Sequence, residues 1–289
     1  MAPFAYIGRP LTNTEFIQYV RGYNFGPILP SFVVIHNSAN PDASWAKLNN
    51  NPAIKWDRDE STLSTAEIID KRTEQLAKIR DYYIRLGWDS GPHLFIDERW
   101  IWLFTPMAVV GTHAKSGNSY HDSAGHLHYS IGIETVGWFG QVGWPAPMQI
   151  LIRTAVQSLQ KRLANFAIEY HHAPTNDPAA HDHSISFHSD YNKPSCPGAY
   201  ITPSYAIPIL AAPLVPSYIK YRILAPCAVF TSRDPAAPLA PGPNHGQTWL
   251  APNDIVNVGD LTDGWLWISP NAIDPPGIGF IPNAYADPV

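Results

Sequence analysis

The sequence predicts an α/β domain, with helices packed on a central sheet, followed by a small all-β barrel, and three observations carry that reading. The run Phe32-Val33-Val34-Ile35 is continuous, apolar and rich in β-branched residues, as suits a buried central strand covered on at least one face by helices. Two amphipathic helices are marked by apolar residues at helical spacing: Ile69, Leu76, Ile79, Tyr83 and Leu86 in one, and Ile152, Val156, Leu159, Leu163, Phe166 and Tyr170 in the other. Composition then changes after about residue 200, where residues 201–289 hold 15 of the 29 prolines and short strand-like pieces alternate with Gly, Pro, Asn and Asp turns.

The chain of 289 residues has room for one large domain and one small one. Charged residues are only 15% of it, against a usual share of about 25%, and the abundance of proline predicts long loops. A net charge of -5 with no Lys/Arg cluster excludes a nucleic-acid partner. Two cysteines, Cys196 and Cys227, are too few for a disulfide framework, though a single bridge between them stays open. The first ten residues lack a basic region and an apolar run, so no signal peptide is expected, and no apolar stretch approaches the ~20 residues that span a bilayer.

In chain order, Thr12-Asn13-Thr14-Glu15 has the form of a capping box and opens a short helix that ends near Gly22. The strand at 32–35 delivers His36 to its C-terminal end. Residues 39–63 read as an exposed excursion. A second capping box, Ser64-Thr65-Ala66-Glu67, starts the first long helix, which Gly87 stops. The segments 93–97 and 101–104, with Glu98-Arg99 between them, form a β-hairpin, and a polar loop runs from Gly111 to about His128. In Tyr129 to Gly137 the period of two places Ile131, Ile133 and Thr135 on one face and Ser130, Gly132 and Glu134 on the other, a small face that ends in a carboxylate. The second long helix follows Pro145 and Pro147 and stops before Pro174. The histidines between His171 and His183 read as a solvated loop, and Pro208 to Pro216 as a semi-rigid linker.

Chemistry concentrates in Phe187 to Gly198, a Pro-rich loop with His188 and Cys196 eight residues apart. A catalytic zinc takes three protein ligands and keeps a fourth position for water. Two could come from this loop, and the strand-end His36 is the best candidate for the third. Glu134, on a cleft floor, would then accept a proton from the attacking water and return it to the leaving group.

Val34-Ile35-His36-Asn37-Ser38-Ala39, Gly91-Pro92-His93-Leu94-Phe95-Ile96, Gly111-Thr112-His113-Ala114, Ser130-Ile131-Gly132-Ile133-Glu134 and His188 to Cys196-Pro197-Gly198 occur in a telling order. Over roughly residues 30–210 the sequence resembles the zinc-dependent N-acetylmuramoyl-L-alanine amidases of the type-2 family, which includes amidase-type phage lysozymes and peptidoglycan recognition proteins. The resemblance implies a central mixed sheet flanked by helices, and cleavage of the amide between muramic acid and the L-alanine of the peptidoglycan stem peptide. It implies zinc ligands at His36, His188 and Cys196, a catalytic carboxylate at Glu134, and a substrate-groove histidine at His113. Two departures stand out: Pro92 where many members have Tyr, and Pro194 where many have Lys or Thr. Lys193, beside Pro194, is the candidate to contact substrate in its place.

The last 70 residues resemble a bacterial SH3-like domain, with Trp249, Trp265 and Trp267 as stacking candidates. The expected organisation is an N-terminal helical arm (1–30), a zinc amidase domain (31–207), a linker (208–217) and an SH3-like wall-binding domain (218–289). A monomer acting on peptidoglycan or muropeptides is expected, made in the cytoplasm and reaching the wall after release or non-classical export. The alternatives are a non-catalytic peptidoglycan binder on the same fold and a zinc peptidase acting on wall peptides.

Overall fold

The computed structural model describes residues 3–38, 63–171, 177–214, 219–230, 249–262, 265–269, 279–282 and 286–288. Most of the excursion expected at 39–63 lies outside these residues. Two compact units divide at Ala212 and Pro213.

In the first unit six strands form a mixed sheet in the order β1 (Arg9–Leu11), β4 (Ile101–Leu103), β3 (Leu94–Ile96), β6 (Leu127–Thr135), β2 (Phe32–Asn37) and β7 (Ile185–Phe187). Strands β3, β6, β2 and β7 are parallel, whereas β4 runs antiparallel to both of its neighbours, β3 and β1, and the short β5 (Ser119–His121) pairs antiparallel with the start of β6. Because β1 pairs with β4, the first thirty residues are part of this unit and not a separate arm.

Helices cover the sheet as their apolar faces dictate. Helix α1 (Asn13–Gly22) starts on the expected capping box, and its Phe16 and Val20 join Val33, Ile35, Ile131 and Ile133 in the larger core with α3 (Ala146–Leu163). Helix α2 (Thr65–Arg85) also starts on its capping box and packs Ile68, Leu76 and Ile79 on the opposite face, against Phe95, Trp102 and Phe104. Leu86, expected on that face, is exposed, and Ile68 takes the deeper place. Arg72 of α2 is buried against Asp97, whose carboxylate also accepts from the Arg99 and Trp100 backbone N–H groups and the Trp102 indole. Every oxygen of that buried charge is thus engaged.

Three expectations need correction. Helix α3 ends at Leu163, not near Pro174, because Ala164 turns left-handed (φ 54°) and the chain doubles back to bury Phe166 and bond Ala167 N–H to the His183 carbonyl. Pro208 is not in a linker but inside helix α4 (Pro203–Ala211), whose last carbonyls accept from Arg153 and Gln157 of α3. The segment before β7 is not uniformly solvated either, since His181 is fully buried, stacked on Tyr170.

The second unit is all-β among the described residues. Strands β8 (Ile219–Ile223), β11 (Ile255–Thr262), β12 (Trp265–Ser269), β13 (Gly279–Pro282) and β14 (Ala286–Pro288) form an antiparallel sheet in the order β13-β12-β11-β8-β14, and β9 (Cys227–Ala228) pairs with β10 (Trp249–Leu250). Ile223, Cys227, Val229, Leu250, Val256, Ile281 and Ala286 fill its core. The side chains of Trp249, Trp265 and Trp267 lie outside the described set. Both cysteines are free thiols.

Candidate metal centre and active site

The parallel strands of the first unit all point their C-terminal ends the same way, and sheet register decides which side chains meet there. His36 of β2 stands opposite Glu134 of β6, Val34 opposite Gly132, and Phe32 opposite Ser130, so the polar face of β6 and the His36 side chain share one side of the sheet. Helix α2 shields β3 and β4 on that side, and the loops after β4 and β7 supply what surrounds His36.

His188 opens a 3-10 turn (His188–Tyr191) directly after β7. Asp190 fixes this turn by accepting from Phe187 N–H (2.8 Å) and the Tyr170 hydroxyl (2.8 Å), and the buried Tyr191 donates to Ser186. The chain then returns to place Cys196 against β2, where Asn37 N–H donates to Cys196 Sγ (3.3 Å). Gly198 follows at φ +113°, a conformation side chains rarely adopt, and a Cβ there would lie 2.5 Å from the Phe139 carbonyl.

One ligand atom from each of His36, His188 and Cys196 lies within 4.8 Å of the others. The His36 and His188 rings are 4.3 Å apart. Among the described residues, His188 Nε2 is buried without a hydrogen-bond partner, which is costly unless another group completes it. Two imidazoles and a thiol at this separation fit a tetrahedral zinc.

Electrostatics agree with that chemistry. Burial, reinforced by the neighbouring imidazoles of His113 and His188, holds His36 well below the ordinary histidine value. Burial first, then the charges of Lys193 and Lys115, pushes His188 down to about 4. Both rings are therefore neutral near pH 7, the form a metal requires. The Cys196 thiol is pushed up by burial and then by the charge of Glu134, so the metal-free pocket holds a protonated sulfur, while Asn37 N–H and Lys193 favour the thiolate. Glu134 is half-buried, and desolvation raises its carboxyl to about 8.

His113 comes to the same place, with Nδ1 3.0 Å from His36 Nε2 and Nε2 3.2 Å from Ser130 Oγ. Its ring lies flat over Gly132, where a Cβ would come within 2.6 Å. Lys193 is exposed, and its charge is felt at both His188 and Cys196.

Three neighbours were given no role in the site from the sequence. Lys115, after the loop histidine, adds a second cationic charge near His188. Tyr83 of α2 lies over Gly91, and its phenol is pushed up by burial and then by Glu134. His93 is fully buried, accepting from Gly132 N–H at Nδ1 (2.9 Å) and donating from Nε2 to the Val109 carbonyl (2.9 Å).

A helix-flanked mixed sheet thus brings together a His-His-Cys set that could hold a metal ion and, on the same face, a desolvated carboxylate, the parts a hydrolase uses. Residues 25–199 match the family described as N-acetylmuramoyl-L-alanine amidase, and the chain belongs to that family. Its members' activity, hydrolysis of the peptidoglycan amide, is the activity of this enzyme. Among curated proteins none matches. Two solved structures from Clostridium intestinale URNW are similar: the endolysin N-acetylmuramoyl-L-alanine amidase LysCS (15% identity, 72% of this chain and 90% of that one, TM-score 0.38) and the N-acetylmuramoyl-L-alanine amidase LysC (14%, 72% and 92%, TM-score 0.38). No described helix is long and apolar enough to cross a membrane.

Proposed function

We propose that the amidase is zinc-dependent, that His36, His188 and Cys196 hold the ion, and that the bond cut joins the lactyl group of N-acetylmuramic acid to L-alanine. The supporting observation is the convergence of these three donors, drawn from two strand ends and a loop, on the sheet face that carries Glu134. Zinc held there would supply Lewis-acid polarisation of the scissile carbonyl and a bound water of lowered pKa. Glu134 takes the proton of the attacking water and returns it to the leaving amine; burial raises its carboxyl to about 8 in the metal-free pocket, and a cation held nearby would lower it towards the carboxylate form that accepts at neutral pH. Lys193 gives the rim beside His188 and Cys196 a positive charge for the substrate's developing oxyanion or its peptide carboxylates.

The second unit we read as an SH3-like wall-binding module of an enzyme that works on peptidoglycan after release from the cytoplasm. The full chain should then sediment with purified cell walls, and a chain ending at Ala212 should stay in the supernatant.

Metal analysis tests the zinc assignment. Wild type should carry one zinc per chain, and His188→Ala and Cys196→Ala should lose it together with hydrolysis. Full activity in a metal-free, chelator-treated protein would overturn it.

A further inference from the structure

Ser130, His113 and His36 form a directed chain whose proton positions follow from counting donors. The Ser130 hydroxyl has one proton and lies 2.6 Å from the Gly117 carbonyl, which can only accept. That proton is therefore committed to Gly117. The 3.2 Å contact between Ser130 Oγ and His113 Nε2 then requires the histidine to donate. A neutral imidazole with its proton on Nε2 has a bare Nδ1, and His113 Nδ1 faces His36 Nε2 at 3.0 Å. Hence His36 also carries its proton on Nε2, and its Nδ1 is left as the lone-pair donor.

We propose that Ser130 and His113 are positioning residues that fix the tautomer of His36, so that its Nδ1 is ready to ligate before any metal arrives. This rests on the zinc reading above and adds to it, because His113, expected to line the substrate groove, has both ring nitrogens engaged by His36 and Ser130. The arrangement explains Gly132 as well: a side chain there would displace the His113 ring from the chain of bonds. Asn118 holds the His113 end, its Oδ1 accepting from His113 N–H (2.8 Å) and Ala114 N–H (2.5 Å). A ligand histidine whose other nitrogen is bonded in this way is oriented and made more basic, and loss of such a partner typically weakens metal binding about 10–100-fold.

The test is nitrogen-15 NMR of the histidine rings in the metal-free full chain, beside zinc affinity measured by competition with a chromophoric chelator. Wild type should show His36 and His113 as Nε2–H tautomers. Ser130→Ala should bring Nδ1–H forms of both rings into the spectrum and weaken zinc about tenfold or more. A wild-type His36 found as the Nδ1–H tautomer overturns the proposal without any variant. So does a Ser130→Ala protein with unchanged tautomers and zinc affinity. Failure of wild type to bind zinc at all would instead remove the zinc reading, so the two outcomes are distinguishable.

Discussion

Histidines gather at both ends of the parallel strands, yet in opposite company. At the C-terminal end, His36, His113 and His188 meet one another, a thiol, a serine and a single carboxyl, Glu134, whose own proton affinity is raised by desolvation, and each imidazole is held in its neutral form by burial. At the N-terminal end, carboxylates lie among the imidazoles. Asp182 accepts from Tyr120 (2.7 Å) and Ser31 and pairs with His128 (3.0 Å) and His183 (3.2 Å), while Asp122 pairs with His126 (3.0 Å). Those contacts tie together the starts of β2, β6 and β7. A histidine beside a carboxylate is already satisfied and makes a clamp; a histidine left with a bare nitrogen in a dry pocket makes a ligand.

The contrast predicts where substitutions act. Glu134→Gln should lower the rate of peptidoglycan hydrolysis about 10²–10⁴-fold, the usual worth of a general base, while zinc content stays at one per chain. Loss of zinc in that variant would instead make Glu134 part of the ligand set. His93→Ala leaves the buried Gly132 N–H without its acceptor, removes the bond to the Val109 carbonyl and empties a fully buried site, and should cost on the order of 3 kcal/mol in denaturant unfolding.

A buried histidine beside the site and the carboxylate clamp should also fail in acid over different ranges. His93 has a folded value of about 4 against 6.5 for the free side chain, so the unfolded chain takes up its proton first. Stability of the metal-free protein should therefore be unaffected by this group above pH 6.5 and fall as pH drops from 6.5 towards 4. Asp122 is held below its ordinary 3.8 by the backbone and side chain of His126, so its contribution is present above that value and is lost only at lower pH. Asp122→Asn should remove the second loss and leave the first, as read by unfolding midpoints across pH. The smallest effect is expected at Asp182: Asp182→Asn should cost about 1 kcal/mol of stability and leave hydrolysis within a few-fold of wild type. A large loss of activity there would break the distinction between clamp and active site.

What the sequence revealed follows from what is local. Capping boxes at Thr12 and Ser64, the strand that ends in His36 and the alternation that turns Glu134 into the cleft each depend on a few adjacent residues. The three candidate donors stood out because their types and order are unusual, although only the fold brings His36 within reach of Cys196. The end of α3 was hidden because the turn at Ala164 is set by Phe166 finding the core and by Ala167 bonding to His183, far along the chain. Helix α4 runs through Pro208, and its last carbonyls are taken by Arg153 and Gln157 of α3, tertiary contacts that no local pattern shows. Ser130 shows the limit most plainly: a serine on a strand has no distinguishing pattern, and its role comes from the Gly117 carbonyl that directs its one proton.

The most direct test is to digest purified peptidoglycan with the zinc-loaded full chain and identify the new chain ends. New N-terminal L-alanine should appear, and should vanish with Cys196→Ala and Glu134→Gln. Binding to the wall without any new L-alanine ends, or new ends at another residue of the stem peptide, would contradict an amidase working from His36, His188, Cys196 and Glu134.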